Sequence, residues 1–306
     1  MTVRTHTPHR LFSVLLPALC SLLLAAPALA ADDAPATEQP AAAAVPTVEQ
    51  LLIGAEKTLA DISDYTGIMT KQERFLEEMG RRERTRIKFA KPFKVYIKFL
   101  NVYDGREAIY VRGWNDGEVK VHKGTFPDIN VNLDPRGSMA MDGNHHPITD
   151  FGLANTCRVA ARNLRRAVKR KEGEFKVTDA GTVNGRPVWK IEANFPKGGH
   201  VVTARDDETL WDIADRSGQD MYLILYTNRK QYDEPDDVDE GDRVFIPRYY
   251  GGKAEFVLDK EYFTPVRIRT WDWAGRLYES YDYQDMKFNV GLTRRDFDPD
   301  NPAYDF

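Results

Sequence analysis

Apolar and polar residues alternate with a period of two in several separate runs of this chain, which points to a fold built on strands with one buried face. In residues 92–100 (PFKVYIKFL), Phe93, Val95, Ile97 and Phe99 alternate with Lys94, Tyr96 and Lys98. The same alternation returns at 119–122, 188–195 and 266–273. Turn signals separate the runs: Asp104-Gly105, Asn115-Asp116-Gly117, Asn184-Gly185 and Ala274-Gly275. Runs joined in this way are consecutive hairpins, so the spacing predicts a large antiparallel sheet.

Two stretches follow the helical period instead. Thr47 opens the first, with Gln50 placed to complete a capping box and Val48, Leu51, Leu52, Ala55, Leu59 and Ile62 on one stripe. The second lies near 148–170, where Leu153, Cys157, Ala160, Ala161, Leu164 and Val168 share a face and Thr149 or Asp150 supplies the cap. A single sheet must cover its apolar face with something. The expected fold class is therefore α+β: a curved antiparallel β-sheet, a half-barrel, with helices packed into its concave side.

Residues 200–249 break the pattern. They read as a strand (HVVTA), a helix (TLWDIADRSG), a second helix (DMYLILYTN), an acidic loop and a strand (DRVFIPR). Hairpins resume at Ala254, so a small β-α-α-β unit is spliced into a discontinuous host covering 47–199 and 250–306.

The insert resembles the LysM family. His200-Val201-Val202-Thr203 followed by Asp207-Glu208-Thr209-Leu210-Trp211-Asp212-Ile213-Ala214 is similar to the LysM opening, and Glu240 to Pro247 to its close. Asn228 stands where that family ends its second helix. Within the insert, Thr209 is placed to cap the first helix while Leu210, Ile213, Ala214 and Ile246 face inward. The resemblance implies a shallow groove for the N-acetylglucosamine-containing glycan of peptidoglycan. Carried over by position, one wall holds Asp207, Glu208, Thr209 and Leu210, and the other Asn228 and Arg229. Two departures weigh against it. The family's turn glycine is replaced around Asp206-Asp207, and the second loop carries Asp233, Glu234, Asp236, Asp237, Asp239 and Glu240, a charge unfavourable to an anionic wall polymer.

The host resembles an exported bacterial family of unknown function, itself similar to the LolA/LolB-type periplasmic lipoprotein carriers. The resemblance rests on Tyr65-Thr66-Gly67, Lys71-Gln72-Glu73-Arg74, the 92–100 strand, residues 105–110 (GREAIY), residues 143–149 (GNHHPIT) and Asp296-Phe297-Asp298-Pro299. It implies a LolA-like half-barrel whose cavity takes a lipid or a lipoprotein's acyl chains. A scaffold filled by its own aromatics is the plainer alternative.

The start of the chain fits an exported protein. Arg4 and Arg10 precede an apolar run, and Ala28-Leu29-Ala30 supplies a cleavage site, so residues 1–30 read as a signal peptide. Leu19 before Cys20 argues against lipidation there. Residues 31–46 form an Ala/Pro-rich linker, and no second apolar stretch provides a transmembrane segment. Removing Arg4 and Arg10 takes the net charge from −4 to −6, a balance unlike that of a nucleic-acid protein. The expected place is the periplasm, in association with the cell wall.

The expected function is non-enzymatic binding of peptidoglycan, with a carrier or sensor role for the host. No cofactor and no metal is expected. The alternative is a peptidoglycan-remodelling enzyme, using Cys157 as a transpeptidase-like nucleophile or a carboxylate pair as a hydrolase. Cys157 follows Ala154-Asn155-Thr156 rather than the Ser-His-Gly of the L,D-transpeptidases, and its helical neighbours Ala161 and Leu164 make it a core thiol. His145-His146 read as a loop entering a helix, because no HExxH or Cys/His cluster completes a metal site. Neither Asp296 to Asn301 nor the acidic loop has calcium-loop spacing. Arg158, Arg162, Arg165, Arg166, Lys169, Arg170 and Lys171 form a basic patch, read as a solvated face at a helix C-terminus or a contact for anionic envelope material.

Overall fold

A computed structural model describes residues 44–306, so the signal-peptide segment and nearly all of the linker lie outside the described residues. The described part opens with α1 (Val48–Asp61), then runs through β1 (Asp64–Phe75), β2 (Glu78–Met79), β3 (Glu83–Ala90), β4 (Lys94–Phe99), β5 (Glu107–Val111), β6 (Val119–His122) and β7 (Asn130–Leu133). A loop holding the single-turn α2 (Ser138–Met141) leads to α3 (Leu153–Arg170), β8 (Glu174–Val183) and β9 (Arg186–Asn194). β10 (Gly199–Thr203), α4 (Leu210–Ser217), α5 (Met221–Asn228) and β11 (Arg243–Pro247) form the insert. β12 (Lys253–Asp259), β13 (Pro265–Trp271) and β14 (Leu277–Phe288) complete the order.

The main sheet runs β7-β6-β5-β4-β3-β1-β14-β13-β12-β9-β8, with β2 paired to β1. Every pairing is antiparallel, as the alternation predicts. The sheet is open, with β7 and β8 as its edges. Register shifts between Thr66 and Ile68, Asp179 and Thr182, Val257 and Leu258, and Thr270 and Trp271 add local twist and bend.

Thr47 caps α1 through the expected capping box with Gln50, and Leu51, Leu52, Ala55 and Leu59 are buried. Each of the three leucines contributes about 1.5–3 kcal/mol on leaving water, and Ala55 less. α3 differs from expectation at both ends. Its N-cap is Gly152, at a φ of 119° where a side chain would be strained, and not Thr149 or Asp150. The first amide, Leu153 N–H, donates 3.1 Å to the Tyr65 hydroxyl on the sheet, so the host strand replaces a local cap. Val168 is 56% exposed and Ala167 takes the inward place, because three residues beyond Leu164 lies closer to the core direction than four.

The opposite face of the sheet is covered in part by the end of the chain. Tyr304 stacks on Tyr96 at 4.1 Å, and Phe297 packs with Ala90, Tyr96 and Ile109. Asp296 accepts from Thr293 N–H at 2.9 Å and pairs with Lys88 at 2.8 Å. That segment is a turn fastened to the sheet.

The insert begins one residue earlier than the sequence suggests, with Gly199 paired to Pro247. A Cβ at Gly199 would lie 2.1 Å from the Ile246 carbonyl oxygen, so only glycine fits. β10 and β11 pair antiparallel and α4 and α5 close over them, with Leu210, Ile213, Ala214, Ile224, Val244 and Ile246 in a separate core. β9 and β12 are themselves neighbours, from Asn194 against Lys253 onward. The insert therefore occupies the turn of a host hairpin.

Candidate functional site

The inward side chains of the sheet do not meet the helices everywhere. They leave a cavity of about 470 Å³, lined on its apolar side by Met69, Ile97, Ala108, Val121, Phe256 and Ile268. Its other walls come from α3, from the loop around α2, and from Ala214, Asp215, Gly218, Gln219 and Asp220 of the insert. The insert is thus part of the cavity wall. Met139, on α2, is 73% exposed and lines the same space.

Charged side chains of β1 and β14 converge at one part of this wall. On β1, Lys71 and Glu73 share an inward face with Met69; on β14, Glu279 lies with Tyr281 and Tyr283. The loop after α2 brings His145 and His146 between them. His145 is fully buried: its Nδ1 faces Glu279 Oε1 at 2.7 Å, and its Nε2 donates to the Arg74 carbonyl at 2.8 Å. Glu73 accepts from the His145 backbone N–H at 3.0 Å, from Lys71 at 3.3 Å and from the Tyr281 hydroxyl. Lys71 also donates to the Gly143 carbonyl at 2.6 Å and lies 3.4 Å from Glu83. Glu279 accepts from the Tyr250 hydroxyl at 2.6 Å.

The electrostatics follow from this crowding. Burial opposes ionisation of Glu279, but the His146 charge and the hydrogen bonds from His145 and His146 outweigh it and hold the carboxyl well below its ordinary range. Burial likewise opposes ionisation of Glu73, and Lys71 and His145 overcome it and lower the carboxyl. Desolvation works against a charged His146, yet Asp220 at 3.1 Å and Glu279 at 3.2 Å raise it well above 6.5. Tyr250 and Tyr281, buried beside these carboxylates, are raised far above ordinary phenols.

Glu73, His145 and Glu279 place one ligand atom each within 4.8 Å of the others, a spacing compatible with a metal. Each donor atom is already committed to a neighbour, including a ring nitrogen donating to a carbonyl. The set fits a buried ion-pair network better than a coordination sphere. The sequence gives no sign of it, because His145 and His146 carry no metal or catalytic spacing and their carboxylate partners lie far away in the chain. The one available signal was charge at inward positions of strands, as at Lys71, Glu73 and Glu279.

Aromatic side chains fix the insert against this network. Tyr222 on α5 stacks on His145 at 4.2 Å and meets Phe75 edge-on at 5.4 Å. Tyr226 donates 2.7 Å to Asp272, and Arg229 pairs with Glu77 at 3.0 Å. Asp215 takes a two-pronged bond from Arg136 at 2.8 and 2.9 Å.

The six residues expected to line the glycan groove are divided. Asp207 is exposed and holds a φ of 55°, a left-handed backbone that glycine takes more readily. Glu208 pairs with Arg216 at 2.8 Å, and Thr209 caps α4 in a box with Asp212. Leu210 is fully buried, and its N–H reaches the Pro235 carbonyl at 2.9 Å, linking the two loops. Asn228 is buried: its side chain donates to the Phe245 carbonyl at 2.8 Å and accepts from Phe245 N–H at 3.0 Å. Arg229 faces the host hairpin through Glu77. Asn228 and Leu210 therefore hold the loops in place, while Asp207, Glu208 and Thr209 border the outer surface. The acidic second loop is ordered by its own Asp237, which accepts from Asp233 N–H and Glu234 N–H at 2.8 Å each.

Cys157 is half-buried between apolar neighbours, and burial, with some help from the Glu56 charge, pushes its thiol up to about 12. That is the opposite of an activated nucleophile.

Comparison with known proteins adds a family and distant structural likenesses. The family described as "Protein of unknown function (DUF1571)" matches residues 62–245 and 247–306, running through the insert. No curated protein matches the chain. A solved structure of a putative outer membrane lipoprotein-sorting protein domain from Vibrio parahaemolyticus is similar at 12% identity and a TM-score of 0.33, over 82% of this chain and 97% of that one. The Pseudomonas aeruginosa MucA/MucB complex is similar at 9% identity and 0.41, over 81% of this chain and 59% of that one. The Mycobacterium tuberculosis lipoprotein LppX is similar at 8% identity and 0.37, over 81% and 99%. None superposes closely enough to bring its own ligand to this chain. Among the described residues no helix is long and apolar enough to cross a membrane.

Proposed function

The chain belongs to the DUF1571 family, and from that premise we propose that it is a non-enzymatic cell-envelope protein holding an apolar, acyl-type ligand in the cavity beneath its sheet. The cavity carries the reading. Its 470 Å³ falls within the range of small-ligand pockets, and an apolar floor faces a polar wall in which Lys71 pairs with Glu73 and His146 with Glu279. A core filled by its own aromatics would have closed this space. Aromatic side chains such as Tyr65, Phe99, Phe151, Phe256 and Tyr281 line this space without filling it, while Tyr222, Tyr226, Tyr250 and Tyr278 pack together where the insert meets the host. The export signal expected in residues 1–30 and the resemblance to lipoprotein carriers support a periplasmic setting.

We further propose that the insert ties the molecule to peptidoglycan as a LysM-like module. Its β-α-α-β order supports this, with Asp207, Glu208 and Thr209 as the contacting wall and Leu210, Asn228 and Arg229 as residues that set the groove's shape.

Binding of the neutral fluorophore N-phenyl-1-naphthylamine tests the cavity. The folded chain should raise its fluorescence, and Val121→Trp, which fills the floor, should reduce the signal at least by half with thermal stability retained. No enhancement by the wild type would overturn the cavity reading. Co-sedimentation with insoluble peptidoglycan tests the insert: the wild type pellets and Thr209→Trp stays soluble, whereas equal pelleting of both removes the groove from the account.

A further inference from the structure

Three arginines on α3 carry no carboxylate partner among the described residues. Arg158, Arg162 and Arg166 follow one another at intervals of four, which puts them on one face of the helix. Like charges so placed repel, and no ion pair offsets them, although Arg165 close by is matched by Glu49 and Glu56. Burial and the neighbouring guanidiniums of Arg166 and Arg158 hold Arg162 below the usual arginine value. Arg162 and Arg166 are half-buried and Arg158 is exposed, so the stripe runs from solvent into the molecule.

The place of the stripe says what that is. Arg158 and Arg162 line the cavity, and Arg162 also lines a shallow surface basin of about 970 Å³ with Arg165, Arg166, Lys169, Arg170 and Arg248. Of these, Arg165 is matched by Glu49 and Glu56 and Arg170 and Arg248 by Glu172, while Arg162, Arg166 and Lys169 have no carboxylate partner among the described residues. Arg162 thus stands in a wall common to an apolar chamber and a cationic one. Two carboxylates of the chamber, Asp220 and Asp150, act on the stripe at longer range, and neither forms an ion pair with it. Asp220 accepts from Leu223 N–H at 2.8 Å and faces His146 at 3.1 Å. Burial raises Asp150, while the charges of His146, Arg136 and Arg158 act to lower it.

We infer that Arg158, Arg162 and Arg166 bind the anionic head of an acidic amphiphile, such as a phosphate- or carboxylate-bearing lipid, whose apolar part lies in the cavity. The inference rests on the cavity reading and adds the class of head group. Guanidinium suits it, since its planar fork bonds two oxygens of a phosphate or carboxylate at once.

The test uses the folded chain carrying N-phenyl-1-naphthylamine, titrated below micellar concentrations with dodecyl phosphate, dodecanol or inorganic phosphate. Dodecyl phosphate should displace the probe at a concentration at least about tenfold lower than dodecanol, the scale of a charge-assisted bond. Inorganic phosphate should neither displace it nor protect the fold from thermal unfolding. In Arg158→Gln/Arg162→Gln the ratio of the two amphiphiles should fall close to one with dodecanol unchanged, and Arg158→Lys/Arg162→Lys should keep most of the preference. Equal displacement by both amphiphiles in the wild type overturns the inference and leaves the cavity standing. Protection by inorganic phosphate alone overturns it in favour of a free-phosphate site. Failure of the probe to bind at all removes the cavity reading and this inference with it.

Discussion

His146 holds its Nδ1 3.1 Å from a carboxylate oxygen of Asp220, which joins the loop lining the cavity to the residue that caps α5. Glu279 stands 3.2 Å from the other ring nitrogen, so one imidazole spans insert and host sheet. The contact is charged only while His146 keeps its proton.

The sign of the pH dependence follows. His146 has a raised value in the folded state, so its contribution is complete below the ordinary 6.5 and fades as pH climbs through the folded value. Melting temperature should hold steady between about pH 5.5 and 6.5 and decline at higher pH. His146→Gln should flatten that decline, measured by circular dichroism across the range. A parallel decline in both proteins would remove His146 as its source.

Removing Glu279 strands the buried His145 and leaves the half-buried His146 with Asp220 alone. Breaking one side of such a network costs about 3–5 kcal/mol. Glu279→Leu should lower the urea midpoint accordingly. His145→Leu/Glu279→Leu should cost less than the sum of the single changes, because each single change leaves its partner uncompensated.

Asn228→Ala deletes the two bonds to Phe245 and leaves that backbone without its partner. The expected loss is about 1–3 kcal/mol, read as faster amide exchange across β11 and the end of α5. Any loss of glycan binding in this variant should then track the destabilisation, whereas Thr209→Trp, which also gives up the α4 cap at about 0.5–2 kcal/mol, should impair binding by more than that loss accounts for.

Cys157 should react slowly with a thiol reagent such as 5,5′-dithiobis(2-nitrobenzoate) at pH 8 in the folded protein and rapidly in denaturant, since burial holds it protonated. Rapid reaction in the folded state would reopen the transpeptidase alternative.

The strands and the insert were legible because their signals are local. Alternation at 92–100, the turn at Asn184-Gly185 and the capping residues Thr47 and Thr209 each act within a few residues. The start of α3 was not, because its first amide is satisfied by Tyr65, from a strand far back in the chain. The buried network was invisible for the same reason: Glu73, His145 and Glu279 come from three separate elements, and none has a telling neighbour in sequence. The cavity too is a property of how the sheet bends over α3, which periodicity does not encode. Asn228 was placed correctly at the end of α5, but its role as a backbone clamp appears only once β11 lies beside it.

The position of the insert in the turn between β9 and β12 bears on the order of folding events. A slack loop from Phe195 to Gly252 would slow the pairing of those strands, since each doubling of loop length adds about 0.6 kcal/mol to its closure. The insert has its own core, and its terminal strands β10 and β11 lie side by side. Once they have paired, β9 and β12 start out as near neighbours, and the long excursion acts kinetically like a short turn. The module that helps wall the cavity is then also a nucleus that shortens the search for the sheet above it.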